Sequence, residues 1–200
     1  MDLREVLARR RMTRSFDATP VDQDWLDDCC AEALRAPTAG HSAGVRLYSV
    51  GATHVSEFLH VATDETWRAT SPRAPGLARA GAVVLITSRP QDYLARYREP
   101  DKVDSGLGER DNWPVPYWHT DAAMATMALL LLVEDAGWQS TIWGSFRHAA
   151  EILRWAGVDD EELFASVLIG RADGRDAPSR SLGRPVPSRR ARVRRVPRSV

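Results

Sequence analysis

Between Ala122 and Val133 the chain reads Ala-Ala-Met-Ala-Thr-Met-Ala-Leu-Leu-Leu-Leu-Val, without a charge and without a polar stripe. The surrounding pattern predicts a helix from about His119 to Ala136, ended by Gly137. A helix that is apolar nearly all round has no face suited to water, so it must be covered on several sides. The run is too short to cross a bilayer, which takes about 20 apolar residues, and Glu134-Asp135 closes it. Whatever this chain folds into must therefore place one helix at its centre. A subunit interface is the natural cover for the side that the chain's own core cannot reach.

The remaining periodicities supply a frame for that helix. Leu3, Val6 and Leu7 predict a short helix to about Arg10. Asp22 reads as an N-cap, followed by a helix with Trp25, Leu26, Cys29, Cys30, Ala33 and Leu34 on one face and ended by Pro37. Val45 to Val50 predicts a strand, and Val55, Phe58, Leu59 and Val61 another helix. Ala82 to Thr87 is a continuous β-branched apolar run, the signature of a central strand. Thr141-Ile142-Trp143 reads as a strand, Ala149 to Trp155 as a helix, and Phe164 to Gly170 as a last internal strand. Ala191 to Val196 alternates enough for an edge or exchanged strand. Helices and strands in this order, without regular βαβ units, predict an α+β fold. Two hundred residues, 44% of them hydrophobic, support one core, and no domain boundary is visible. We expect a single domain over residues 1–187 and a basic tail over residues 188–200.

Charge and cysteines narrow the class. Net charge is zero, yet seven arginines and no acid lie between Arg184 and Val200, which leaves the body acidic. That distribution is the wrong one for a dedicated nucleic-acid binder. Cys29 and Cys30 are adjacent, a spacing ill suited to a disulfide. With no signal-peptide pattern and no zinc spacing, we expect a cytoplasmic protein with no structural metal and no membrane anchor. Dinucleotide, Walker and serine-hydrolase motifs are absent.

Two short motifs carry chemistry. Arg9-Arg10-Arg11-Met12-Thr13-Arg14-Ser15-Phe16 concentrates guanidinium groups at a helix end, where they either complement the helix C-terminus or grip phosphate oxygens. Ala36-Pro37-Thr38-Ala39-Gly40-His41-Ser42 is a turn of small residues. Taken in order with Ile142-Trp143-Gly144, they resemble the FMN-dependent nitroreductase family over nearly the whole chain. The resemblance implies a central, mostly antiparallel sheet flanked by helices, in a homodimer with a long buried interface helix and FMN at the interface.

The resemblance also implies roles. Arg10, Arg11, Met12, Thr13 and Arg14 would hold the FMN phosphate, although Met12 stands where the family usually has a small hydroxyl residue. Pro37, Thr38, Ala39, Gly40 and His41 would cover the flavin ring from the partner subunit. Ala43 and Val45 replace the family's amide and aromatic residues there, and His41 offers a substitute donor. Trp143 and Gly144 would present backbone N–H groups to the ring. Arg184, or failing it Arg180, would close the phosphate site. Arg46 or Arg73 could put positive charge at the N1–C2 edge. Trp113, Tyr117 and Trp118, in a Pro-rich segment over residues 98–118, either form the substrate pocket or serve as loop core. The implied activity is ping-pong hydride transfer from NADH or NADPH through FMN to a nitroaromatic or quinone-like acceptor, with no catalytic side chain. The departures at Met12, Ala43 and Val45 leave an alternative: a flavin- or small-molecule-binding protein without redox turnover.

Overall fold

The computed structural model describes residues 2–144, 146–176 and 179–196, without the side chains of Phe146 and Arg180. Eight α-helices and four strands follow one another among them. They are α1 (Leu3–Arg9), α2 (Gln23–Ala33), β1 (Val45–Gly51), α3 (Val55–Ala62), α4 (Glu65–Thr70), α5 (Ala74–Leu77), β2 (Ala82–Ser88), α6 (Pro90–Tyr97), α7 (Tyr117–Asp135), β3 (Gln139–Trp143), α8 (Ala149–Trp155) and β4 (Glu162–Gly170). The strands form one sheet in the order β1-β2-β4-β3, with every neighbouring pair antiparallel. This is the α+β architecture that the pattern predicts.

β2 explains the topology. All seven of its residues are buried, and its side chains alternate between two cores. Ala82, Val84 and Ile86 face α2 and α7, where they meet Leu26, Cys30, Leu129 and Val133. Val83 and Leu85 face α3, α5 and α8, where they meet Phe58, Leu77 and Ile152. A strand covered on both faces must be apolar throughout, which accounts for the unbroken run. The register slips by one residue between Ile86 and Thr87 opposite β4.

α7 runs between Pro116 and Ala136 and buries Ala122, Ala125, Leu129 and Val133 against the sheet. Its other side, with Ala123, Met124, Met127 and half-buried Leu131, is not covered by the chain's own core. Asp22 caps α2 as expected, its side chain accepting from Trp25 N–H at 2.9 Å. Three helices lie where the periodicity gave no element: α4, α5 and α6. All are short, and two have proline in the first turn.

Among the described residues, the tail forms no strand within its own chain. Arg190–Arg192 is a 3-10 turn, and the residues on to Val196 are exposed. The outer edge of β3 is already engaged, because Met12 bridges Ser140 in parallel and Thr13 N–H donates to Ser140 O at 3.0 Å. Among the described residues, no helix is long and apolar enough to cross a membrane.

Candidate functional site

Segment 12–17 is the scaffold of the site. It enters beside β3 through the Met12 bridge and leaves beside the end of β4 through a Phe16–Ala172 bridge. Phe16 is fully buried, so the segment is nailed down between two strands and presents Arg14 and Ser15 at a fixed place. α5 packs directly on it. A Cβ on Gly76 would lie 2.6 Å from Arg14 O and 2.8 Å from Ser15 Cα, so only glycine permits this approach.

The result is a cavity of about 590 Å³ whose lining combines cations with indole rings. Arg14, Arg73 and Arg175 line it together with Asp176, Ser179, Trp67 and Trp143. Trp67 and Trp143 stack at 5.6 Å with an interplanar angle of 28°. Phe58 supports Trp143 edge-on at 6.1 Å. The two indoles also wall a smaller space of about 300 Å³, which reaches Gly144, Arg147 and His148. Guanidinium forks suit phosphate oxygens, and flat indoles suit a planar ring system.

The predicted residues fall into several groups. Arg14 and Trp143 line the main cavity, and Gly144 lines the space beside it. Thr13 is buried, and the Met12 sulfur accepts from Thr141 Oγ1 at 3.9 Å, so Met12 turns toward β3. Arg10 Nη1 is buried without a hydrogen-bond partner among the described residues. A buried guanidinium nitrogen left unpaired is costly, and an anion would relieve it. Arg11 is exposed and folds back on its own helix, donating to Ala8 O at 2.7 Å and Arg10 O at 3.2 Å. It thus takes the helix-end role rather than entering the cavity. Arg184 is exposed, and the side chain of Arg180 lies outside the described atoms.

Of the two candidates for the ring edge, Arg73 lines the cavity and Arg46 does not. Arg46 is held elsewhere, 2.8 Å from Asp92 and 3.9 Å from Glu161. The loop with Pro37, Thr38, Ala39, Gly40 and His41 is also remote from this cavity within one chain. It packs on α6 and the start of α7, where Ala39 N–H donates to Asp121 and Gly40 O accepts from Arg96. Trp113 and Trp118 are buried with Tyr93 in an aromatic cluster, whereas Tyr117 is exposed.

Trp67, Ser71, Gly76, Arg175, Asp176 and Ser179 are cavity residues that sequence reasoning did not single out. Asp64 and Trp67 carried a usable signal: an N-cap aspartate three residues before the amide it accepts, here at 2.6 Å. Arg175 and Asp176 carried only a turn signature, Asp173-Gly174, because a long-range bridge brings them to the site.

Comparison with known proteins bears on the fold and the family. The model of the nitroreductase family matches residues 7–171. Among solved structures, a nitroreductase family protein from Streptococcus pneumoniae superposes with a TM-score of 0.70 at 17% identity, over 97% of this chain and all (100%) of the other. A candidate nitroreductase from Exiguobacterium sibiricum, solved in complex with FMN, gives 0.64 at 17% identity over 90% of this chain and 92% of its own. A candidate NAD(P)H:FMN oxidoreductase from Staphylococcus epidermidis gives 0.65 at 20% identity, covering 89% and 90% of the two chains. At these identities the likeness is one of fold. No curated protein sequence matches. The family match spans most of the chain, its strands and helices fall in the same architecture, and the chain belongs to the nitroreductase family.

Proposed function

We propose that the protein is an FMN-dependent oxidoreductase that works as a homodimer. The observation that carries this reading is the cavity itself, where Arg14, Arg73 and Arg175 meet the stacked Trp67 and Trp143. Outside the cavity's lining, Arg10 Nη1, without a partner among the described residues, is a further donor suited to an anion. When bound, FMN would supply ping-pong hydride exchange between NADH or NADPH and a small oxidised acceptor such as a nitroaromatic or quinone.

The chain's own residues bind and orient. Arg10, Arg14 and Arg175 would grip the phosphate, with Thr13 and Met12 fixing the backbone between them and Arg184 or Arg180 closing the site from the tail. The backbone of Trp143 and Gly144 would donate at the ring, and Arg73 would favour negative charge at its pyrimidine edge. In a dimer built on the uncovered face of α7, the partner would bring its Pro37–His41 loop over this cavity. Tyr117, the exposed ring of the loop cluster, would then contact the acceptor, while Trp113 and Trp118 hold the loop's shape.

A second reading keeps flavin binding without turnover. It is supported by Met12, whose side chain faces Thr141, and by Val45, a buried aliphatic residue where the family carries an aromatic one. The visible spectrum of the purified protein, before and after added FMN and desalting, tests both. Retained flavin that NADH or NADPH bleaches supports the enzyme. Retained flavin that neither bleaches supports the second reading. A protein that cannot retain FMN overturns both.

A further inference from the structure

One cavity residue has the wrong charge for a simple anion site. Asp176 lines the cavity together with the arginines, and its Oδ2 accepts the backbone N–H of Arg14 at 2.8 Å. The contact is built into the fold. Asp17 N–H donates to Arg171 O at 3.0 Å, Phe16 bridges Ala172, and Asp173 N–H donates to Ser15 O at 3.3 Å. Ser15 Oγ donates to Asp173 Oδ2 at 2.9 Å, and Arg175 N–H donates to Asp173 Oδ1 at 2.9 Å. This ladder carries the chain past segment 14–17 and delivers Asp176 to Arg14.

An internal anion therefore occupies a donor in the segment whose arginines the flavin reading assigns to the phosphate. With Arg14, Arg73, Arg175 and Asp176, the lining carries a formal charge of +2 rather than +3. A phosphomonoester near neutrality approaches −2. Its oxygens would meet both the guanidinium groups and the carboxylate, and like charges at short range oppose each other. A ligand with the same rings and no phosphate would meet no such opposition.

We propose that Asp176 is a specificity-determining residue: a built-in competitor for the ligand phosphate that narrows the preference for a phosphorylated flavin over the same flavin without phosphate. The inference rests on the flavin reading above. Asp176→Asn is the sharpest test, because the amide oxygen still accepts from Arg14 N–H while the charge is gone. Asp176→Ala removes both, and thermal melting without ligand checks that each variant folds.

FMN and riboflavin are titrated into the wild type and both variants, with quenching of flavin fluorescence on binding as the readout. The expected result is about ten-fold tighter FMN binding in Asp176→Asn, with riboflavin changed less than about two-fold, the effect of one like charge at a partly screened site. Unchanged or weaker FMN binding, or an equal gain for riboflavin, overturns the proposal. If the wild type binds neither flavin, the flavin reading falls, and inorganic phosphate alone still decides this one. A larger phosphate-induced rise in melting temperature for the variants supports the competitor, and an equal rise overturns it.

Discussion

Asp121 and Ala39 are joined by a 2.7 Å hydrogen bond that ties the first turns of α7 to the loop after α2. The same carboxylate oxygen accepts from Tyr93 Oη at 2.9 Å, and Asp121 is only 1% exposed. Burial, and then the neighbouring Asp121, push the Tyr93 phenol well above its ordinary range. The loop needs this hold. Gly40, His41 and Ala43 have φ values of 62°, 59° and 50°, and each non-glycine residue there costs on the order of 1 kcal/mol. Gly40 also sits so close to Tyr97 that a Cβ would lie 2.7 Å from the ring.

Asp121→Ala removes the shared acceptor and leaves a buried phenol and a half-buried amide unpaired. Two lost charge-assisted bonds amount to about 3 kcal/mol. At ~2–4 °C per kcal/mol for a chain of this size, the melting temperature should fall by roughly 6–12 °C. Differential scanning calorimetry reads this directly. A change under about 2 °C would mean that the loop's other bonds, from Arg96 to Gly40 O and from Arg46 to Ala43 O, suffice to hold it.

Arg14 and Arg46 should behave oppositely toward FMN. Arg14 lines the cavity, so Arg14→Ala should weaken FMN binding by about 10- to 100-fold, the worth of a charge-assisted hydrogen bond. Arg46 is bound to Asp92 and Glu161 away from the cavity, so Arg46→Ala should leave FMN affinity within about two-fold. Equilibrium titration with FMN compares the two, and equal losses would place the phosphate somewhere other than beside Arg14.

The contrast between these arginines shows what the sequence can carry. Arg14 lies in a local motif with a recognisable order, and its position follows. Arg73 and Arg46 could not be separated by spacing, because the choice depends on which carboxylates the fold brings to Arg46. The long elements were legible for a simple reason: β2 and α7 repeat their pattern over enough residues to define burial on both faces. α4 and α5 are too short to show a period, and α6 announces itself mainly by Pro90 in its first turn. Asp176 could not be found from its neighbours, since its partner Arg14 is 162 residues away.

The uncovered side of α7 sets a third expectation. Met124 and Met127 are 41% and 38% exposed on a helix with no charge between Ala122 and Val133. Burying a methionine side chain is worth about 1.5–3 kcal/mol, and a two-fold axis would count each twice. The double variant Met124→Glu/Met127→Glu should convert a dimer to a monomer, read as a halved mass by light scattering on a sizing column. A wild type that is monomeric, or a variant that stays dimeric, would exclude this face as the interface.

Cys30 should be chemically silent. Burial, then Asp27 and Cys29, push its thiol up to about 12, and burial raises Cys29 as well. Only the thiolate reacts at a useful rate. At neutral pH, iodoacetamide should label neither cysteine in the folded protein and both in denaturant, by intact mass. The labelling rate under native conditions should follow global unfolding, because both side chains belong to the α2–α7 core. Rapid native labelling of either would show that α2 opens independently.

Glu162 gives the pH dependence. Burial pushes its carboxyl up, but Arg110 at 2.6 Å and His119 at 2.8 Å outweigh that and hold it below the ordinary 4.5. A carboxyl lowered on folding adds stability above its unfolded value and loses it as pH falls through its folded value. The contribution should therefore be whole at pH 7 and decline below about pH 4.5. The side chain is 33% exposed, so screening keeps the effect to about 1 kcal/mol or less. Glu162→Gln should lower stability at pH 7 and flatten the acid limb, so that urea midpoints of the two proteins converge near pH 3. Parallel curves with a constant offset down to that pH would show that packing, not charge, is what Glu162 supplies.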